Sequence, residues 1–425
     1  MCIINGFVTL HHKNCIINFN FLQMKFLSTY FIFFLFITAK LIGQNNQKLD
    51  TNRTFYSLSE AFMTPNEVIR LDLSFQKLNF DTIDLTCFIN LKHLSISHDG
   101  IQTMPLGITK LSNLKSLDLS ANNLNSIPIE FLELKSLEEL YLNNDYNLNI
   151  ESSLNIISKM KSLKSLHLDS LYSLNNSADQ SAIYNIEYLT LRSDNLVSIP
   201  AFVKRFKNLK VLDLAGNKIT NLDDNSFEDL HIEELSLGLD ENFDLEKGFN
   251  SIKSLQDLKT LHLDNTPFER FPTDLSSVKN IEYLSLKNDH FSKFPQGIIT
   301  LPNLKTLDLS GNDFEDLPED IYKLENLEEL YLSDDFNLNI KSTFDVLSKM
   351  PKLKLLHLDN ISINKLPVNF KKLTHLEAIY LQDGQFFMLP NEKHTLKNLS
   401  RVDLRNTAVP VNGNNHNGFG LRLKW

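Results

Sequence analysis

Three histidines are each followed two residues later by an aspartate, a spacing that brings together two metal-ligating and titratable groups. The pairs are His167 with Asp169, His262 with Asp264, and His357 with Asp359. In an extended strand, residues two apart point to the same side, so each pair would present an imidazole and a carboxylate together. Metal binding and pH-sensitive binding are therefore the chemistries to consider.

The distance between successive pairs argues against a metal site. The pairs recur every 95 residues, which corresponds to four predicted strands, or roughly 19 Å. They cannot converge on one ion, and each pair alone offers fewer ligands than a stable site uses. We predict no metal and no cofactor. Titration of these histidines near pH 6–7 remains a hypothesis, and binding that is unchanged between about pH 5.5 and 8 would contradict it.

A repeated frame, LxxLxLxxN, positions these pairs along the chain. Successive copies of the frame begin 23, 23, 23 and 26 residues apart, in a recurring order that sums to 95. Each of these intervals is called a step. Residues 137–169 and 327–359 lie two such units apart, and 21 of their 33 positions are identical. The frame begins fifteen times, at positions 68, 91, 114, 137, 163, 186, 209, 232, 258, 281, 304, 327, 353, 376 and 399.

The xLxLx core of the frame alternates with period two and predicts a strand. Leu117 and Leu119 would point inward and the residues between them outward. One repeat cannot bury such an apolar face alone, whereas stacked repeats share a core. We therefore predict an α/β solenoid of about fifteen repeats, with a parallel sheet on its concave side and 3-10 or short helical segments on its convex side.

The connections between strands fall into two kinds. In five segments a proline is followed by apolar residues three apart, which suits the turn that leaves the sheet. These segments are 105–114, 128–137, 200–209, 295–304 and 318–327. The 26-residue steps lack this proline and carry Leu154, Ile157 and Met160, or their equivalents, at helical spacing. We expect a fuller helical turn there.

The ninth position of the frame varies with the 95-residue unit. Asparagine can bridge adjacent turns as donor and acceptor, whereas aspartate can only accept, so we expect a weaker polar column than in a uniform array. The residues are Asn122, Asn217 and Asn312 in one class, Asp145, Asp240 and Asp335 in a second, and Asp99, Asp194 and Asp289 in another.

The start of the chain resembles a secretory signal. Met24-Lys25 precedes a short apolar run, 26–38, and small residues follow before Gln44. The run is shorter than the roughly 20 residues that span a bilayer, and a retained anchor is the alternative. We expect 1–43 to comprise an upstream extension and a signal with Met24 as the natural start and cleavage near Gly43 or Ala39. The remaining predicted divisions are a cap at 44–67, the array at 68–409 and a tail at 410–425.

Both ends of the array carry cap-like patterns. Ser57 and Glu60 have the spacing of a helix capping box, and Phe419 to Trp425 alternate as in a short closing strand. Beyond the predicted signal Cys87 stands alone, so no intramolecular disulfide is expected, and we interpret it as an apolar filler.

Stretches such as LKSLDLSANNLNSIPIEFLELKSL (114–137) and LKTLDLSGNDFEDLPEDIYKLENL (304–327) resemble the 23-residue class of leucine-rich repeats. That class includes many bacterial repeat proteins and the cytosolic Ras-binding repeat scaffolds. The resemblance covers 68–409 and implies a horseshoe that binds proteins or peptides on its concave sheet, with no catalytic residues to transfer. The 26-residue step, the Asp-for-Asn exchanges and the missing cysteine caps depart from the animal receptors of the wider family.

The second position of the frame alternates in charge sign along twelve successive repeats. We interpret this charge ladder as self-neutralising, with opposite charges as lateral neighbours, in preference to a ligand contact. Its members are Lys115, Glu138, Lys164, Glu187, Lys210, Glu233, Lys259, Glu282, Lys305, Glu328, Lys354 and Glu377.

The fifth and seventh positions are the better candidates for a partner-binding surface. Aromatic residues beside hydrogen-bonding groups are typical of protein-binding faces. The alternative is that they are repeat-derived surface residues without a ligand. The densest predicted cluster consists of Asp308, Tyr331, Asp334, His357, Asp359 and Tyr380.

Composition excludes some classes of function. A formal net charge of −10 without a Lys/Arg cluster disfavours nucleic acid. Glycine-rich phosphate loops, zinc spacings and nucleophile elbows are absent from the sequence, and no cysteine occurs in the sixteen residues after Val409, so we predict no enzyme.

The favoured function is a secreted or cell-surface bacterial scaffold that binds a protein or peptide. The alternative is an intracellular scaffold for a small GTPase or a kinase-type partner.

Overall fold

The computed structural model describes most of the array and some flanking residues. The described residues are 2–4, 7–12, 15–20, 50–171, 181–220, 222–239, 243–268, 270–363, 365–384, 396–407 and 421–422. The predicted signal at 24–43, Asp240 and most of the tail lie outside them. The chain divides into two compact units, Met1–Glu187 and Tyr188–Trp425.

Within its described residues, the first unit contains six short parallel strands that pair in chain order. Each strand hydrogen-bonds to the next without a shift in register within the pairs. The strands are Thr54–Phe55, Arg70–Asp72, His93–Ser95, Ser116–Asp118, Glu139–Tyr141 and Ser165–His167. A separate antiparallel sheet of Cys2–Ile4, Phe7–His12 and Cys15–Asn20 lies in the segment that precedes Met24.

The described part of the second unit contains ten parallel strands, again in chain order. Two of them are longer than three residues, and their register shifts between Leu214 and Ile219. The strands are Tyr188–Thr190, Val211–Ile219, Glu234–Leu239, Thr260–His262, Tyr283–Ser285, Thr306–Asp308, Glu329–Tyr331, Leu355–His357, Ala378–Tyr380 and Arg401–Asp403.

Every one of the fifteen predicted frames contains a strand at its third to fifth positions, which confirms the predicted solenoid of stacked parallel strands. The first, fourth and sixth positions are buried in repeat after repeat, as with Leu114, Leu117 and Leu119, each 0% exposed. A sixteenth parallel strand, Thr54–Phe55, precedes the first frame and was not predicted. Removing these leucines from water supplies the main driving force for stacking, at about 25 cal/mol per Å².

The segments opposite the sheet follow the length of each step. Prolines at the predicted positions precede five-residue 3-10 helices, for example Ile129–Glu133 after Pro128. The 26-residue steps contain α-helices instead, at Ile150–Ile157, Leu245–Ile252 and Ile340–Leu347. The longer step therefore adds a helical turn, as predicted. The remaining five-residue 3-10 helices are Leu106–Lys110, Ala201–Arg205, Gln296–Thr300, Glu319–Lys323 and Val368–Lys372.

The predicted capping box at the N-terminal end is wrong. The helix Leu58–Met63 does begin after Ser57, but the Ser57 side chain makes no capping hydrogen bond. Its hydroxyl lies 2.7 Å from that of Ser59, and Arg53 engages Glu60 at 2.9 Å. A nearby guanidinium competes successfully for the glutamate because a charge-assisted hydrogen bond is stronger than one to a neutral amide.

The C-terminal segment ends in an antiparallel pairing. Leu421–Arg422 forms a strand against Arg401–Val402. No helix in the described part of the chain combines the length and the hydropathy that crossing a bilayer requires.

The eighth position of the frame has a left-handed backbone in fourteen of fifteen repeats, a feature that the sequence did not indicate. Only Gly216 and Gly311 are glycines at this position. Most of the others are Asn or Asp, which adopt this conformation more readily than other residues with a Cβ atom because their short polar side chains can hydrogen-bond locally. The exception is Leu239, where the strand Glu234–Leu239 continues through the position.

Candidate partner-binding face

The sheet of the second unit brings four of the six predicted site residues into one row. The fifth positions of adjacent frames are directly opposed in the register Asp308, Tyr331, His357, Tyr380, each being the Cα partner of the next. Their side chains are half-buried and point away from the leucine core. The period-two alternation of each strand therefore converts a spacing of 23 to 26 residues in sequence into lateral contact.

Three of these side chains form a continuous stack of rings, here called the aromatic row: Tyr331, His357 and Tyr380. The centroids of Tyr331 and His357 are 3.8 Å apart with an interplanar angle of 13°. Those of His357 and Tyr380 are 4.1 Å apart with an angle of 1°. The guanidinium carbon of Arg401 lies 5.0 Å from the centroid of Tyr380, so a cation–π contact ends the row.

Glu329 tethers the row at its other end. Its Oε1 accepts a hydrogen bond from the Tyr331 hydroxyl at 2.7 Å and lies 3.0 Å from His357 Nε2. Burial is the largest effect on His357 and lowers its pKa, although Glu329 opposes it. Burial, followed by the hydrogen bond to Glu329, raises the pKa of Tyr331. Both rings are therefore uncharged near pH 7.

Asp308 and Asp403 flank the row in very different states. Asp308 accepts the backbone N–H of Ser310 at 2.9 Å and is half-buried. Asp403 is buried and accepts hydrogen bonds from Arg401 and Arg405, each at 3.0 Å. Burial acts to raise the pKa of Asp403, but the bonds from Arg405 and Arg401 outweigh it and hold the pKa below its usual value.

The remaining two predicted residues lie beside the row, in the residues that follow the strands. Asp359 Oδ1 accepts the N–H of Gln382 at 2.7 Å, and burial raises its pKa. Asp334 occupies the left-handed eighth position of its frame and accepts from Asn360 Nδ2 at 2.7 Å. The side chains of both aspartates are thus engaged with the neighbouring repeat.

The third position of the frame was missed as a source of site residues. Glu329 and Arg401 both occupy it, two residues before Tyr331 and Asp403. The signal was available, because the third and fifth positions of a strand point to the same side. The fifth and seventh positions alone do not include these two charged residues.

The same columns differ in the other 95-residue blocks. In the first unit, Tyr141 and His167 stack at 4.0 Å and 5°, as Tyr331 and His357 do. In the middle block, Ser236 replaces the tyrosine and Gly238 follows it. A depression of about 470 Å³ opens there, lined by Ser236, Gly238 and His262 together with an ion pair between Arg192 and Asp213.

The predicted charge ladder forms along both units. Lys115 lies 2.6 Å from Glu138, Lys164 lies 2.7 Å from Glu187, and Lys354 lies 2.7 Å from Glu328. The prediction of lateral neighbours is confirmed. These groups are largely exposed, so each pair contributes about 0.2–1 kcal/mol. The further pairs are Lys259 with Glu233 and Lys305 with Glu282.

The His-x-Asp pairs do not form larger ligand sets. In the described residues, no group of three or more His, Cys, Asp or Glu side chains is arranged to hold a metal ion. His262 Nδ1 lies 3.9 Å from Asp264 Oδ2 and its Nε2 lies 3.8 Å from Glu234. The local partners of this histidine are carboxylates of its own and a neighbouring repeat.

Comparisons with known proteins match this repeated architecture. A family model described as "Leucine rich repeat" matches residues 89–148, 184–241 and 279–338. Among solved structures, TLR13 in its complex with ssRNA13 is 20% identical with a TM-score of 0.53, covering 84% of this chain and 65% of that chain. At this identity the likeness concerns the fold alone.

Other similar proteins come from bacteria and plants. A leucine-rich repeat protein of Leptospira interrogans is 22% identical with a TM-score of 0.44, covering 84% of this chain and 95% of that one. An internalin of Listeria monocytogenes is 17% identical with a TM-score of 0.37, covering 77% and 78%. Receptor-like protein 7 of Arabidopsis thaliana is 51% identical over 35 residues, which span 8% of this chain and only 4% of that protein.

Proposed function

Because this chain is a leucine-rich repeat protein, we propose that it is a non-catalytic scaffold that binds a protein or peptide on the aromatic row. One observation carries the proposal: Tyr331, His357 and Tyr380 form an uninterrupted stack on the sheet face of the second unit. Aromatic side chains combined with a polar surround are typical of the energetic centres of protein interfaces.

The row is held in place before any partner arrives. The Tyr331 hydroxyl and His357 Nε2 both contact Glu329, and Arg401 covers the last ring. Side chains that are already ordered lose little conformational entropy on binding, so more of the contact free energy appears as affinity. This arrangement favours a recognition surface over a set of mobile surface residues.

The charges around the row favour a partner segment that carries basic side chains. Asp308, Glu329 and Asp359 lie on the same face in the repeats that hold the row, and the whole chain has a formal net charge of −10. A lysine or arginine could contact both a carboxylate and a ring edge or face. Nucleic acid, with its phosphate charges, is disfavoured by the same carboxylates.

We also infer that the chain is exported and acts in a secreted or cell-surface setting, as a bacterial binding protein. The support is the sequence from Met24 to Gly43, which has the charge and apolar run of a signal. Sequencing the N-terminus of the mature protein tests this. A start near Gln44 is expected, whereas an intact Met24 in a cytosolic fraction would favour the intracellular scaffold instead.

Affinity capture from extracellular material of the source cells tests the binding site. The wild-type chain is compared with Tyr331→Ala/Tyr380→Ala, which removes both outer rings of the row. Tyr322→Ala is the matched control, because Tyr322 is exposed on the 3-10 helix Glu319–Lys323, away from the sheet face. Circular dichroism confirms that each variant is folded.

The proposal predicts a partner that the wild type and Tyr322→Ala retain and the double alanine variant loses at least tenfold, since two central aromatic residues commonly contribute over 1.4 kcal/mol. Tyr331→Phe/Tyr380→Phe keeps the rings and should retain most binding. Equal recovery by the wild type and a folded double alanine variant would exclude the aromatic row as the site.

A further inference from the structure

Within each unit, the buried ninth-position residues form a column in which the asparagines are fully hydrogen-bonded. Asn312 Oδ1 accepts from the N–H of Phe291 at 3.0 Å. Its Nδ2 donates to the carbonyl oxygens of Leu286 and Leu309, at 2.8 and 2.7 Å. Asn122 and Asn217 bind the equivalent groups of their own and the preceding repeats. Each asparagine thus uses one acceptor and two donors.

Among the aspartates at the same position, three have almost no exposure to solvent. Asp145 is 0% exposed, and Asp289 and Asp335 are each 1% exposed. Asp145 Oδ1 accepts from the N–H of Leu124 at 3.2 Å, and Asp289 Oδ1 accepts from that of Thr266 at 2.7 Å. These are the amides that correspond to the ones bound by Oδ1 of the asparagines.

The second carboxyl oxygen of these aspartates has no hydrogen-bond partner among the described residues. This holds for Oδ2 of Asp145 and Asp289, and for both oxygens of Asp335. If Oδ1 takes the acceptor role of the amide oxygen, Oδ2 takes the position of Nδ2, which faces two leucine carbonyls. An ionised carboxylate there would meet only lone pairs, whereas a carboxylic acid would have one O–H to donate.

We propose that Asp145, Asp289 and Asp335 are carboxylic acids in the folded chain near neutral pH, each donating its proton to a leucine carbonyl of the column. In that state each of the three aspartates stabilises the repeat stack more at acidic than at alkaline pH. The carbonyls that correspond to those bound by asparagine are Leu119 or Leu142 for Asp145, Leu263 or Leu286 for Asp289, and Leu309 or Leu332 for Asp335. The proposal concerns the fold and does not depend on the binding site.

The charged groups near each aspartate are also acidic. Asp118 acts on Asp145, Asp264 acts on Asp289, and Asp313 and Asp334 act on Asp335. Each of these carboxylates disfavours a second negative charge close by. Burial is the larger effect, and it raises the pKa of Asp145 to about 7 and the pKa values of Asp289 and Asp335 to about 8.

The direction of the pH effect follows from these shifts. An unfolded aspartate loses its proton near its ordinary pKa of 3.8, whereas the folded groups keep theirs to about pH 7–8. Between these values the folded chain binds more protons than the unfolded chain, so stability falls as the pH rises. The loss is complete once the pH exceeds the folded pKa values.

Denaturant midpoints between about pH 5 and about pH 9 test the proposal. The triple variant Asp145→Asn/Asp289→Asn/Asp335→Asn is compared with the wild type. Asp50→Asn/Asp224→Asn/Asp229→Asn is the control, because these three aspartates are exposed. We expect the midpoint of the wild type and of the control to fall as the pH rises. The midpoint of the triple variant should depend much less on pH, and it should be higher than that of the wild type at the alkaline end, because asparagine donates its hydrogen bonds at every pH.

The reverse substitution and a spectroscopic measurement complete the test. Asn312→Asp should make the denaturant midpoint fall more steeply as the pH rises, since it adds one more position whose hydrogen bond requires a proton. Infrared difference spectra of wild type minus triple variant near neutral pH should contain a carboxylic-acid C=O band. The proposal would be overturned if the midpoints of the wild type and the triple variant changed in parallel with pH. It would also be overturned if the triple variant were less stable than the wild type, or unfolded, at the alkaline end, or if the carboxylic-acid band were absent.

Discussion

The imidazole of His357 and the phenol ring of Tyr380 are parallel to within 1°, with their centroids 4.1 Å apart. The two residues occupy the same position of adjacent frames, and their Cα atoms are register partners. Neighbouring strands lie about 4.8 Å apart, which is close to the separation of stacked rings. Identical positions in successive repeats can therefore stack aromatic side chains with only a small tilt.

This geometry predicts a measurable coupling between the rings of Tyr331 and His357. In a double-mutant cycle with Tyr331→Leu and His357→Leu, we expect about 0.5–1.5 kcal/mol of interaction free energy, measured by urea denaturation. Tyr322→Leu combined with His357→Leu is the control and should be additive, because Tyr322 lies on the opposite side of its repeat. A coupling of zero between Tyr331 and His357 would contradict the stack.

His357 should make the protein less stable in acid, opposite in sign to the buried aspartates. Burial holds the pKa of folded His357 below 6.5, so the unfolded chain takes up its proton first as the pH falls. The contribution of His357 to the free energy of unfolding is fully present above pH 6.5. It is lost as the pH falls through the folded pKa, by at most about 1.4 kcal/mol per pH unit. His357→Phe keeps a ring in the row and should remove this loss in denaturation curves. If the wild type and His357→Phe lost the same stability at acidic pH, His357 would have the same pKa in the folded and the unfolded chain.

The left-handed eighth position predicts a stabilising substitution at Ala121. Its φ of 54° is unfavourable for a residue with a Cβ atom by roughly 1–2 kcal/mol, whereas glycine adopts it freely. Ala121→Gly should therefore raise the free energy of unfolding, after the entropic cost of glycine, by a few tenths to about 1 kcal/mol. Ala201→Gly, at the start of the 3-10 helix Ala201–Arg205, should destabilise. The same sign for both variants in denaturation would contradict the prediction.

Gly238 is predicted to be intolerant of any side chain. A Cβ atom at this position would lie 2.4 Å from the backbone nitrogen of Asn217 and 2.6 Å from that of Gly216. Because backbone atoms cannot move aside as a flexible side chain does, Gly238→Ala should cost about 3 kcal/mol or more. Gly107→Ala is the control, since its nearest neighbour would be at 3.9 Å. Thermal denaturation compares the two, and a Gly238→Ala melting temperature equal to that of the control would contradict the close approach.

The strand positions and the two kinds of connection could be predicted because they depend on local periodicity. Leu117 and Leu119 alternate with polar residues, and Leu154, Ile157 and Met160 recur at helical spacing. The capping box at Ser57 failed for the opposite reason. Arg53 competes for Glu60, and such competition depends on where a separate segment comes to lie.

The candidate site was predictable in its residues but not in its contacts. The frame arithmetic brings Asp308, Tyr331, His357 and Tyr380 into one row, as the register of the strands bears out. It did not include Glu329 or Arg401, which hold the two ends of the row. Which side chains contact each other across a row depends on their rotamers and on their burial, and the period of the sequence predicts neither of these.

Repetition in the sequence alone determined the architecture of this chain, because fifteen copies of one frame can bury their leucines only by stacking. It also determined which residues share a row, since the register between repeats follows the frame. The tertiary structure decided the protonation chemistry and the ring geometry. The solvent exclusion around Asp145, Asp289 and Asp335 and the spacing of His357 from its neighbours arise only when repeats close over one another and remove water from positions that are polar in the sequence.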